Sequence, residues 1–154
     1  MDFILGMLLG LIFGRRNERN HIRSLEQREG ILFPIVKLDN RKRIKDPQTV
    51  ADAQMVIGQA VMASDYAKTF FARWRNIFGG EMKSFQSLLT RGRREALLRM
   101  IEDARRLGAT EVWNVRFETS NISMATGRSG MAQVEIVAFG TAVRRAQPIT
   151  QVLA

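Results

Sequence analysis

The run Phe70–Glu81, F-F-A-R-W-R-N-I-F-G-G-E, constrains the fold more than any other stretch, because it separates a β-type run from a long helical one. Phe70, Phe71, Trp74, Ile77 and Phe78 recur one, three, three and one residues apart, which predicts a short helix with one broad apolar stripe. Arg73 and Arg75 flank that stripe. Gly79 and Gly80 end it, since glycine reaches the left-handed conformation of a helix terminus at little cost.

On the far side, Ser84 is placed to cap a second helix. Phe85, Leu89, Gly92, Ala96, Met100, Ala104 and Leu107 then recur every three or four residues, which predicts one buried face ended by Gly108. Gly92 in mid-helix costs up to about 1 kcal/mol against alanine, so a close helix–sheet approach is expected there. Glu111–Thr119 alternates, with Trp113, Val115 and Phe117 expected on one side and Asn114, Arg116 and Glu118 on the other. Met131–Arg144 is a further strand, in which Gly140 marks a bulge or a close contact. The two strands predict an antiparallel hairpin, and the tail from Arg145 is expected to be loose.

On the near side, Gln54–Ser64 reads as the first strand of the folded core. Ile31–Leu38 is also β-type, and Pro34 confines it to an edge or a strand start. Asp39–Pro47 is a charged linker whose Arg41, Lys42, Arg43 and Lys45 fit either phosphate groups or plain solvation, the latter preferred. Arg15–Gly30 predicts a solvated helix ending at Gly30, with His21 as a surface residue. Phe3–Phe13 has no polar residue, and Arg15 and Arg16 follow it. It is short for a spanning helix and lacks the basic start of a signal peptide. An interfacial or tilted anchor is the preferred reading, with Phe3, Ile4, Leu5, Leu8, Leu9, Leu11, Ile12, Phe13, Arg15 and Arg16 at the membrane; an internal helix is the alternative.

Charge and composition restrict the chemistry. The net charge of +9 favours anionic partners or plain solubility. With no cysteine there is no disulfide, thiolate nucleophile or thiolate metal site. Soft metals want thiolate, thioether or imidazole, and the one histidine is isolated, so no metal site and no cofactor are expected. The methionines fall mostly at apolar positions and read as packing. No Ser-His-Asp set, H-E-x-x-H pair or phosphate-binding glycine loop is present, so no catalytic residue is assigned.

The block F-F-A-R-W-R-N-I-F-G-G-E-M-K-S resembles the YbjQ family, as do R-R-E-A-L-L-R-M-I-E-D-A-R-R-L-G-A, V-R-F-E-T-S and V-E-I-V-A-F-G-T-A-V. That family is commonly labelled as heavy-metal-binding. The resemblance spans about residues 54–145 and departs at Trp113 and Asn114, where it implies Val and Gly, and in a longer loop at Ser123–Gly130. The front end looks like a subset of the family with an N-terminal hydrophobic segment. The resemblance implies a dodecin-subunit-like β-α-β-β domain that assembles as a ring, most often a pentamer.

The expected fold is therefore α+β: an antiparallel three-stranded sheet with a long helix on one face, preceded by an N-terminal helical segment. The expected divisions are an apolar segment and charged helix over 1–30, an edge strand and basic linker over 31–53, the YbjQ-like domain over 54–145 and a tail over 146–154. The expected function is a non-enzymatic ring-forming binding or scaffold module at the cytoplasmic face of a membrane, or in the cytoplasm if the N-terminal segment is internal. Phe70, Phe71, Arg73, Trp74, Arg75, Phe78, Gly79 and Gly80 are its expected oligomer contacts. A homo-oligomeric partner and an anionic membrane surface are expected, and nucleic acid is not. A heavy-metal-binding protein is the alternative, and a small-molecule store or an enzyme of unassigned type is the second.

Overall fold

The computed structural model describes residues 2–63, 81–121 and 133–146, with the side chains of residues 2–15 and 81–85 left aside. In chain order these form α1 (Asp2–Leu32), β1 (Lys37–Asp39), a 3-10 turn (Pro47–Thr49), β2 (Val50–Ala63), α2 (Glu81–Arg106), β3 (Glu111–Asn121) and β4 (Gln133–Arg145). The four strands make one sheet in the order β1-β3-β4-β2. β2 and β3 each run antiparallel to β4, while β1 runs parallel to β3.

The α+β class holds, but the sheet is mixed and four-stranded rather than antiparallel and three-stranded. The extra strand is what remains of the β-type run at Ile31–Leu38. Ile31 and Leu32 continue α1, so Gly30 does not end that helix, and only Lys37–Asp39 pairs with β3. The long strand begins at Val50, earlier than the expected Gln54. The expected short helix at Phe70–Phe78 and its stop at Gly79–Gly80 lie outside the described residues.

Small residues decide where α2 lies. Its Gly92, Ala96, Met100 and Ala104 are buried against one face of the sheet, as their spacing predicts. On the strand beneath, a Cβ at Gly58 would collide with the Ala96 carbonyl oxygen and the Met100 amide nitrogen. The helix backbone therefore rests directly on the strand, which no larger residue at 58 would allow. A Cβ at Gly92 would sit 2.6 Å from the Ile136 Cδ1. Val56, Ala60, Val134, Ile136 and Ala138 complete this dry layer.

The helix begins at Glu81, so Ser84 lies inside it and is not its cap. It ends in a Schellman motif: Gly108, at φ 72°, donates to the Arg105 carbonyl at 2.9 Å, and Ala109 donates to Ala104 at 3.0 Å. Leu107 falls in this turn and is exposed rather than buried.

A second face of α2 receives α1. Arg91, Glu95, Leu98 and Glu102 recur four, three and four residues apart. Arg28 of α1 bridges Glu95 at 2.8 Å and Glu102 at 2.9 Å, Glu29 takes Arg94 at 2.7 Å, and Glu18 approaches Arg91 at 3.6 Å. Leu25 and Leu32 supply the apolar part of the contact and are fully buried or nearly so. His21 is half-buried here rather than on the surface, with Nε2 3.9 Å from Glu95 and a buried Nδ1 that has no partner. Burial pushes the Glu95 carboxyl up, but Arg99 at 2.7 Å and Arg28 more than offset this and hold it below the ordinary value.

Candidate functional site

Two features of the opposite sheet face could serve function: an apolar area along β2 and a polar cleft at the other end. A bulge in β3 creates the division. Trp113 pairs with Thr141, and Arg116 pairs with Phe139, so Asn114 and Val115 together oppose Gly140. Asn114 takes φ 55°, a left-handed conformation that asparagine tolerates better than most side chains. This is a position where the family resemblance implies glycine, and the backbone explains why.

The extra residue reverses the alternation. Trp113 lies on the face away from α2, while Val115 packs against the main core and Phe117 shares its side. The three residues expected on one face are therefore split. Gly140 itself is unbulged, but it passes close to its neighbours: a Cβ there would sit 2.8 Å from Val112 Cγ1.

Trp113 is nevertheless only 5% exposed, because the linker crosses over it as a strap. Its Nε1 donates to Glu111 Oε2 at 2.8 Å, and Arg41 lies over its ring with Cζ 5.1 Å from the centroid. Arg145 fastens the strap. Its Nη2 donates to Glu111 Oε2 at 2.6 Å, and its Nη1 donates to the carbonyls of Lys45 (2.8 Å) and Asp46 (3.0 Å) and to Thr49 Oγ1 (2.7 Å). Ala146 donates its amide to the Thr49 carbonyl at 2.8 Å. The chain is thus anchored at Arg145, where a loose tail was expected. Hydrogen bonding from Arg145 holds the Glu111 carboxyl below its ordinary range, and Arg41 does the same for Asp39.

Between strap and sheet lies an open cleft of about 710 Å³, lined on the strap side by Arg41, Lys45, Asp46 and Thr49 and on the sheet side by Lys37, Glu111 and Trp113 among others. The volume falls in the usual range for small-molecule sites. The basic linker was visible in sequence as a solvated charge run. Its approach to Trp113 was not, because the bulge that turns Trp113 outward has no signal beyond Asn114 itself.

The other half of this face is apolar and uncovered. Met55, Ile57 and Val61 project from β2 with exposures of 68%, 48% and 56%. Val137 and Phe139 lie beside them on β4, pairing with Gln59 and Ile57. Gln59 bonds Glu135 across the strands, the polar break in this patch. β2 pairs only with β4, so it forms one edge of the sheet among the described residues.

None of the residues singled out from sequence for oligomer or membrane contact is described at either feature. Phe70, Phe71, Arg73, Trp74, Arg75, Phe78, Gly79 and Gly80 lie outside the described residues. Phe3, Ile4, Leu5, Leu8, Leu9, Leu11, Ile12, Phe13 and Arg15 belong to α1, with side chains outside those described; Arg16 is exposed. No helix of the described residues is long and apolar enough to cross a membrane. Nor do the described residues bring together three His, Cys, Asp or Glu side chains that could hold a metal ion.

A mixed sheet with one helix-covered face and a strapped tryptophan defines a small α+β module without an assigned catalytic set. The family model described as "Putative heavy-metal-binding", YbjQ, matches residues 36–146, and the chain belongs to that family. The match starts before residue 54 and so takes in β1 and the strap. A UPF0145 protein of Halorubrum lacusprofundi is 40% identical over 109 residues, covering 71% of this chain and 98% of the relative. Others from Pyrococcus furiosus (46% identical, 56% of this chain, 69% of the relative) and Psychrobacter arcticus (38%, 75% and 72%) are similar. Neither the family description nor these names carries a reaction.

Proposed function

We propose that the protein is a non-enzymatic binding module that works as an assembly of copies joined through the open side of β2. The observation that carries this reading is the exposure of Met55, Ile57 and Val61 on a long edge strand. Exposed apolar patches of this kind mark contact surfaces, and an unpaired edge invites strand addition. The family resemblance implies a pentameric ring, and the apolar stripe of Phe70, Phe71, Trp74 and Phe78, with Arg73, Arg75, Gly79 and Gly80 beside it, offers further contacts. Light scattering of the full chain at micromolar concentration should give a multiple of the 17.5 kDa protomer. Ile57→Asp should shift it toward a folded monomer, since Ile57 projects away from α2. A monomeric parent, or an unchanged mass in the variant, removes this surface from the reading.

A second reading has specific support: the family description names heavy metals, whereas none of these relatives' names mentions a ring or a membrane. The donor set of this chain fits a soft metal poorly. Its single histidine has Glu95 as a neighbouring carboxylate, and Glu95 is already held by two arginines. A metal reading therefore requires donors from a second copy or from outside the described residues. Elemental analysis of desalted protein separates the two, with about one metal ion per chain supporting the metal reading.

Membrane contact rests on the apolar run Phe3–Phe13 alone. It predicts that the full chain pellets with anionic vesicles and that a chain starting at Arg15 does not.

A further inference from the structure

We infer that the cleft beneath the strap is a binding site for a small phosphorylated molecule. The argument counts which polar groups of the lining are already taken. Glu111 is saturated by Arg145 and the Trp113 indole N–H. Asp39 is wrapped by Arg41, whose Nε donates to both carboxylate oxygens at 3.0 Å and 2.8 Å and whose backbone N–H donates to Oδ1 at 2.9 Å. Arg145 spends its guanidinium on Glu111 and on the strap. These pairs are architecture.

What remains free is mostly donor. The Lys45 ammonium has no hydrogen-bond or ion-pair partner among the described residues, and Lys37, whose charge acts on the neighbouring Glu111 without a hydrogen bond, lines the cleft with it. Arg41 Nη1 makes no bond there, and its exposed guanidinium lies over Trp113 while Nε and Nη2 bond Asp39. Gln48 adds an amide. Against these stands one further acid, Asp46, whose charge acts on Arg145 and whose backbone is held in a left-handed turn at φ 50°. Two ammonium groups without a hydrogen-bonded partner and part of a guanidinium around a cleft of about 710 Å³ suit a compact dianion with room for an organic body. A phosphate monoester has that charge and that density of acceptors. A carboxylate offers fewer of both. This site is separate from the open side of β2, so it stands or falls independently of the assembly.

The test is calorimetric titration of the full chain at low salt with orthophosphate, glycerol 3-phosphate and adenosine monophosphate, followed in parallel by the indole N–H resonances. Trp113→Phe identifies which of the two indole signals belongs to the cleft. Saturable 1:1 binding of at least one probe, with a shift of the Trp113 signal, is expected. Equal affinity for all three locates recognition in the phosphate group, while preference for one names the source of the organic body. Lys37→Gln with Lys45→Gln should weaken binding by about tenfold per lysine, the usual scale of a charge-assisted hydrogen bond. The strap should survive this change, because Arg145 bonds the Lys45 carbonyl and not its ammonium. Arg43→Gln, an exposed residue outside the lining, should leave binding unaltered. Three outcomes overturn the inference: no saturable binding at millimolar probe, unchanged binding in the double variant, or an equal loss in Arg43→Gln, which would reduce the effect to general attraction by a basic surface.

Discussion

The two faces of this sheet are held by different physics. Under α2, small residues let backbone meet backbone and nearly everything buried is apolar. On the other side, Trp113 is buried by a polar strap fixed with ion pairs, and beyond it the surface is bare. The covered face is specified by volume, where misfits of one carbon are felt. The strapped face is specified by hydrogen-bond partners, which tolerate shape changes but not lost charges.

The largest test of this contrast is Gly58→Val. The new side chain must displace the helix backbone at Ala96 and Met100, so we expect a loss of about 3 kcal/mol or more in denaturant unfolding. A loss under about 1 kcal/mol would mean that helix and strand are not locked together. Acid comes next, because it acts on both sides. Glu29, Glu95 and Glu111 have folded-state pKa values below their ordinary 4.5. A depressed carboxylate gives stability that is fully present above its unfolded pKa and is lost as pH falls through the folded one. Thermal midpoints should therefore be level above about pH 5 and fall progressively at lower pH. A midpoint that rose on acidification would contradict these ion pairs.

Arg145→Ala should have a smaller effect on unfolding and a clear optical one. Releasing the strap exposes Trp113, so its emission should move to longer wavelength while far-ultraviolet circular dichroism stays unchanged. Loss of helix signal instead would show that the strap supports the covered face as well. The smallest effect is expected at the bulge. Asn114→Gly should alter stability by under about 1 kcal/mol, whereas Asn114→Val should cost about 1–2 kcal/mol for a branched residue in the left-handed region. Equal values for the two would place no constraint on that conformation.

What was legible in the sequence follows the same division. The stripe Gly92, Ala96, Met100 and Ala104 announced its burial, because an apolar helical period has few other causes. The hairpin of β3 and β4 and the end at Gly108 were equally plain. The second face of α2 was hidden, since Arg91, Glu95 and Glu102 look like a solvated surface until Glu18 and Arg28 of α1 are seen opposite them. Charge pairs between distant segments leave no periodic trace in either one. β3 misled for a different reason: Trp113, Val115 and Phe117 alternate cleanly in sequence, and the break in phase sits on one backbone angle at Asn114. The cleft inherited that error, because its floor depends on which way Trp113 points.

The bulge also sets how the gene can change. One strand serves two interiors only because an additional residue shifts its parity between Trp113 and Arg116. A substitution in this segment alters one contact. Loss of a single codon there would turn one half of the strand inside out, sending either the strap's tryptophan toward the helix or the hairpin's inner side chains into solvent. A deletion at Asn114 should therefore be far more damaging than any replacement of it.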